Sequence, residues 1–193
     1  MHHENHRSRV APTGGYNTSN QFVNVVIDTP KRSRIKFKYD AGSALFRVSK
    51  ILPEGMMFPY DFGFIPATKG EDGDAIDALV LIEEPTFTGC LVECSLVGVI
   101  EAEQRKGNEK AQRNDGLIAV ARASLLYADI SDISQIRPAI LTDIEAFFVN
   151  YDRLRNVEYK VLGRSGPGKA HEIVSSARTS AGTDGELRRA AHK

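Results

Sequence analysis

The sequence predicts a β-rich α+β domain, and three observations carry that expectation. Through residue 121, apolar residues recur in short alternating segments broken by Gly and Pro, the period of half-buried strands. From Pro138 the period switches to that of a helix. With 41% hydrophobic and 26% charged residues, the 193-residue chain can bury one sizeable core.

Residues 1–21 are polar and aperiodic, with Gly14-Gly15, and are expected to be a disordered tail. His2, His3 and His6 lie in it without the fixed surroundings a metal centre needs. FVNVVID, RIKFKYD and SALFRV then read as a meander of short strands, and MMFPYDFGFIP, punctuated by Pro59, Gly63 and Pro66, as a strand with a sharp bend. ALVLI is a buried strand, CLVECSLVGVIEAE a long one, and the polar loop RKGNEKAQRND joins it to the apolar run LIAVA. In PAILTDIEAFFVNYDRLR, the residues Ile140, Ile144, Phe147, Phe148, Tyr151 and Leu154 recur at three- and four-residue spacing, so one helical stripe faces the core. The strand EYKVLG and a helix over His171–Arg178 complete the domain, placed at residues 22–178, and residues 179–193 read as a flexible C-terminal tail.

Several function classes are set aside by composition. The 25 basic and 25 acidic residues balance, so no global field favours nucleic acid or an anionic membrane as partner. No run approaches the roughly 18 apolar residues of a membrane span, and the N-terminus lacks a secretory core, so the expected compartment is the cytoplasm. Cys90 and Cys94 lie too far apart along one extended strand for an unstrained disulfide and read as small hydrophobes. The segment GRSGPGKA, Gly163 to Ala170, matches a phosphate-binding loop up to its last position, where Ala170 replaces the magnesium-holding hydroxyl. Only 23 residues follow it, too few to complete a nucleotide-binding sheet.

The chemistry concentrates in GEDGDAIDALVLIEEP, residues 70 to 85. Asp72, Asp74 and Asp77 precede a buried strand, where unpaired charge is costly. They are either a solvated acidic turn or ligands of a hard cation, with Gly73 allowing the backbone to turn between them. A calcium-binding loop fails, because Ile76 and Asp77 occupy positions that need an oxygen ligand and a glycine. Upstream, Lys36 and Lys38 alternate on one face of a basic strand, with Arg47 and Lys50 on the next segment. Carboxylates set opposite lysines are the two halves of a metal-assisted phosphoryl-transfer site, although Lys38 equally suits a wet outer face.

The order VVIDTP, IKFKYD, FPYDFGFIP, EDGDAIDALVL and VGVIEAE resembles the soluble inorganic pyrophosphatases of the first family, from about Val23 to Gly163. The family signature is Asp-x-Asp-Pro-x-Asp before an apolar strand, with Ala75 here in place of proline. The resemblance implies a five-stranded closed OB-like barrel with flanking helices. It also implies a cytoplasmic homo-oligomer that hydrolyses pyrophosphate to two phosphates with several Mg2+ ions and a metal-activated water. Carried across on the same basis, Asp72 and Asp77 are metal ligands, and Asp74 is the catalytic carboxylate that orients the water. Lys36, Lys50 and Tyr151 bind substrate phosphate, and Asp28 and Asp115 are further metal ligands.

The pattern is broken at several positions. Lys50 replaces a phosphate-clamping Arg, Phe58 and Phe62 replace tyrosines, Lys38 replaces Glu, Gln104 replaces a metal-binding Asp, Gly116 replaces a basic residue and Asp152 replaces Lys. Glu101 and Glu103 alternate nearby and are candidates to restore negative charge. These departures leave two alternatives to pyrophosphate hydrolysis: a phosphate- or nucleotide-binding protein with little turnover, and a phosphatase acting on another ester.

Overall fold

Period-2 alternation is what the backbone follows through residue 121. The structure is a computed structural model that describes residues 22–70 and 73–190, with side chains through residue 178. Eight strands form in this part: β1 (Phe22–Thr29), β2 (Ile35–Asp40), β3 (Leu45–Ile51), β4 (Asp61–Phe64), β5 (Asp77–Leu81), β6 (Leu91–Lys106), β7 (Gln112–Arg113) and β8 (Gly116–Ala121). Helix α1 (Pro138–Arg153), strand β9 (Val157–Ser165) and helix α2 (Pro167–Ala190) follow. The result is β-rich with a mixed sheet and few helices.

Five strands pair in succession, β1 with β4, β4 with β5, β5 with β8 and β8 with β6, and β6 pairs back to β1. The contact between β5 and β8 is parallel and the others are antiparallel. Strand β6 belongs to two neighbourhoods. Its first half pairs β1 and its second half pairs β9, with register shifts at Leu96/Gly98 and Glu101/Ala102 that bend it between them. The hairpin of β2 and β3 stands apart as a two-stranded sheet, so the expected meander divides after β1.

ALVLI and LIAVA read as continuous apolar runs because their strands are covered on both faces. Ala78 and Val80 join Leu117 and Ala119 in one core cluster, covered by Ala170 and Val174 of α2. Leu79 and Leu81 join Ile118 and Val120 in the other, covered by Leu141 and Ile144 of α1. Helix α1 starts with Pro138 at its first turn, where a missing N–H costs nothing.

The buried stripe of α1 differs from the expected one. Leu141, Ile144 and Asp152 are its buried residues, whereas Leu154 is half exposed. The four-residue step from Ile144 through Phe148 thus arrives at a carboxylate. Helix α2 begins at Pro167 instead of His171, and its backbone runs through much of the segment expected to be a tail. The N-terminal segment 1–21, with His2, His3 and His6, lies outside the described residues. Cys94 is buried in β6 while Cys90 precedes that strand, and the two form no disulfide.

The bend near the site depends on Gly63. A Cβ built there would lie 2.2 Å from the Val26 carbonyl oxygen, a backbone atom of the paired strand that has no side-chain freedom with which to yield. Gly63→Ala is therefore expected to cost about 3 kcal/mol, the upper part of the overpacking range. Urea unfolding measures it, and a loss below about 0.5 kcal/mol, the level of an ordinary surface change, would refute the close approach.

Candidate active site

The β2–β3 hairpin delivers cations to one wall of a cavity. Lys36 lies directly opposite Lys50 in register, and Lys38 follows Lys36 at the next same-face position. All three line a cavity of about 450 Å³ together with Asp28, Asp74, Asp77, Gln104, Asn114, Tyr151, Asp152 and Arg155. Lys38 thus lines the cavity while its side chain stays half exposed.

The acidic loop supplies the facing wall. It is tied at its base by Thr68, whose hydroxyl donates to the Ile65 carbonyl at 2.6 Å and accepts from the Ile76 N–H at 3.0 Å. Gly73 takes φ +88°, and the Gly70 N–H closes the turn on the Asp74 carbonyl at 2.7 Å. Asp74 and Asp77 both reach the cavity. Asp72, the third aspartate of the signature, lies outside the described residues.

Helix α1 and β6 close the third side. Tyr151 packs edge-on against Phe58 and stacks on Phe147, so the two phenylalanines at expected tyrosine positions, Phe58 and Phe62, form an apolar floor under the cavity. Burial, with Asp152, Asp28 and Asp77 adding and Arg155 opposing, pushes the Tyr151 hydroxyl up to about 12, so it stays a neutral donor. Lys50 sits with its ammonium 4.8 Å from the Tyr151 ring centroid. Its pKa is lowered, first by burial and then by Arg155 and Lys36, with Asp152 opposing.

The carboxylates are not equally available. Asp28 is 5% exposed and pairs with Lys36 at 3.2 Å, in a bridge whose side chains are 14% and 7% exposed. Burial still raises the Asp28 pKa, with Lys36 opposing. Asp74 pairs with Lys38 at 2.8 Å in a bridge whose partners are 49% and 64% exposed. An exposed pair of this kind contributes only about 0–1 kcal/mol and opens easily, whereas the buried one does not.

Asp115 goes elsewhere. Its carboxylate pairs with Arg113 at 2.6 Å, accepts the Ala102 N–H at 3.0 Å and lines an adjoining cavity of about 650 Å³. Asn114 and Asp77 line both cavities, so Asn114 is the neighbour of Asp115 that also reaches the lysine-lined one. Glu101 is held by Arg113 and Ser165 on the side of the larger cavity, and Glu103 pairs with Lys160 at 3.3 Å. Of these two candidates to restore negative charge, Glu101 lines the larger cavity with Asp77 and Asp115, and Glu103 lines neither of the two cavities. The sequence argument missed Asn114 and Arg155; strand parity before Leu117, and the four-residue step from Tyr151, are the signals that point to them.

Removing Lys36 tests how firmly Asp28 is held. Lys36→Met leaves a buried carboxylate without its ammonium and is expected to cost about 3 kcal/mol at neutral pH. Because Lys36 is what opposes the upward shift of Asp28, the variant's Asp28 pKa rises further. A raised carboxylate pKa gives stability that is present in acid and lost as pH rises through the folded value, so the deficit must shrink on acidification. Denaturation curves at acid and neutral pH read this; a deficit independent of pH contradicts it.

Comparison with known proteins agrees with this geometry. Residues 25–181 match the family model described as inorganic pyrophosphatase. The inorganic pyrophosphatase of Methanosarcina acetivorans is 33% identical over 162 residues, covering 84% of this chain and 94% of that protein. That of Nanoarchaeum equitans is 35% identical over 156 residues, covering 80% and 94%. Among solved structures, the inorganic pyrophosphatase from Thermus thermophilus superposes with a TM-score of 0.78 at 28% identity, covering 87% of this chain and 95% of that one. With the family model spanning most of the chain and the relatives matching over nearly their full lengths, the chain belongs to the inorganic pyrophosphatase family.

Proposed function

We propose that the chain hydrolyses inorganic pyrophosphate to two phosphates in the lysine-lined cavity. One observation carries this: three ammonium groups and a tyrosine hydroxyl face two aspartates across about 450 Å³, cations for phosphate oxygens against carboxylates for water. Lys36, Lys50 and Tyr151 hold the phosphoryl groups. Asp74 orients the water, whose oxygen bonds to one phosphorus while the bond from that phosphorus to the bridging oxygen breaks. The water's proton passes to Asp74, and the second phosphate leaves with the bridging oxygen.

The donor chemistry bears on the metal the family implies. Asp74, Asp77 and the side-chain carbonyl of Asn114 are all oxygen donors, which suits a hard divalent cation, and Asp72 is its further ligand in this proposal. A bound cation supplies positive charge to the phosphate oxygens and acidifies water. Among the described residues no three of His, Cys, Asp or Glu converge into a metal cluster. Asp28 and Asp115, expected as ligands, are engaged by Lys36 and Arg113. The proposal keeps the several Mg2+ ions that the resemblance implies, with Asp77 and Asp115 lining one cavity.

The proposal extends to a closed five-stranded barrel of the OB type, supported by the pairing of β6 back to β1. A cytoplasmic homo-oligomer is supported by family membership alone. No described helix is long and apolar enough to cross a membrane.

Binding without turnover is favoured by one contact. Lys38 holds the same Asp74 carboxylate that the water requires. Phosphate release from pyrophosphate, with and without Mg2+, separates the two. The expectation is metal-dependent release that Asp74→Asn lowers by roughly 10²–10⁴-fold. Equal background release from both proteins would leave binding alone.

Lys50 gives a pH signature. Its lowered pKa means that the ammonium loses its proton at lower pH than an ordinary lysine, so KM for pyrophosphate should climb early on the alkaline side. Lys50→Arg keeps its charge and should move that climb to higher pH. An alkaline limb that does not move excludes Lys50 from phosphate binding.

A further inference from the structure

The residue at position 152 is an aspartate where the family carries a lysine, and it is 1% exposed, an expensive place for a carboxylate without partners. It has two. Gln104 donates from Nε2 to Asp152 Oδ2 at 2.5 Å, and Arg155 Nη1 pairs with Oδ1 at 3.1 Å. The Arg155 backbone N–H also donates to the Asp152 carbonyl at 2.8 Å, fixing the start of the same side chain. The aspartate therefore works as a buried anchor whose visible product is the position of one guanidinium.

That guanidinium lines the lysine-lined cavity. Its carbon lies 6.0 Å from the Tyr151 ring centroid, and the Lys50 ammonium lies 4.8 Å from the same centroid. The Arg155 side chain is 46% exposed, and one of its five N–H donors goes to Asp152. Lys50 offers only a point charge where the family has an arginine fork; Arg155 brings a fork to the neighbouring wall. Next to burial, the larger cause, Arg155 contributes to the lowered pKa of Lys50, the mark of a repulsion between the two cations that a bound phosphate anion relieves.

Resting on pyrophosphate as the substrate, we propose that Arg155 binds a substrate phosphoryl group through paired N–H donors, and that Asp152, braced by Gln104, is its positioning residue. Arg155 would then supply the bidentate grip that the Lys50 ammonium cannot make, from a different wall of the cavity and on a different element.

The test uses the full chain, with pyrophosphate for kinetics and imidodiphosphate, which is not cleaved, for calorimetric binding. Arg155→Gln should raise KM and weaken imidodiphosphate binding by roughly tenfold or more, with kcat changed less than KM, the loss expected for charge-assisted hydrogen bonds. Arg155→Lys should recover only part of the affinity. Asp152→Asn should weaken binding in the same direction, and combining it with Arg155→Gln should add little, because both remove one interaction. Arg153→Gln, an exposed neighbour that does not line the cavity, controls for general loss of positive charge. Unchanged KM and binding in Arg155→Gln, or full additivity with Asp152→Asn, overturns the assignment. Wild-type protein that binds imidodiphosphate without hydrolysing pyrophosphate overturns turnover but leaves Arg155 measurable; wild type that does neither overturns both.

Discussion

A carboxylate at the edge of an apolar core must keep a cation beside it, and the geometry of this cavity follows from where those cations are tethered. Asp28 ends β1 nearly buried, so Lys36 must reach it from the hairpin. That reach holds the β2–β3 hairpin against the main sheet, and the cross-strand register then brings Lys50 to the same side. On the third side Asp152, in the last turn of α1, is buried with Gln104 and Arg155 as partners, and the Gln104 contact ties the end of that helix to β6. Between the two tethered carboxylates lie Asp74 and Asp77, on a loop pinned by Thr68. The more buried carboxylates, Asp28 and Asp152, are at the margins, and the more exposed Asp74 lies between them.

Much of this was legible because it depends on period. Strands ALVLI and LIAVA, the helix from Pro138, and the common face of Lys36 and Lys38 are all consequences of side-chain direction in regular structure. What was not legible depends on where two elements meet. Leu154 looked like the end of the apolar stripe, but Asp152 takes the buried position, because partners from β6 and the turn after α1 make its burial affordable. Asp115 shares the larger cavity with Asp77, but its pairing with Arg113, two residues away, and the reach of Asn114 into both cavities are set by how the loop meets β6. Likewise, the two-fold neighbourhood of β6 comes from register shifts that no residue in the strand announces by itself.

The departures from the family pattern are better explained as exchange than as loss. Random decay would leave charges unmatched in a partly buried cavity, at a cost of several kcal/mol for each isolated ion. Here Lys36 meets Asp28, Lys38 meets Asp74, and Arg155 meets Asp152. Counted on the cavity wall, the four carboxylates Asp28, Asp74, Asp77 and Asp152 face the four cations Lys36, Lys38, Lys50 and Arg155.

That balance also orders the interactions in time. If the cavity takes pyrophosphate as proposed, the substrate meets Lys38 on Asp74 as an exposed pair, and the phosphate can draw this ammonium away because the exchange gives up little free energy. In that proposal the Lys38 contact gives way as substrate arrives, which leaves one partner fewer on the Asp74 carboxylate. The buried Asp28 bridge has no such freedom, so Lys36 must contact phosphate while still holding its carboxylate, as a three-donor ammonium can. The same charge pattern that looks inhibitory in the unliganded chain can therefore couple the availability of the carboxylate to the presence of the substrate it serves.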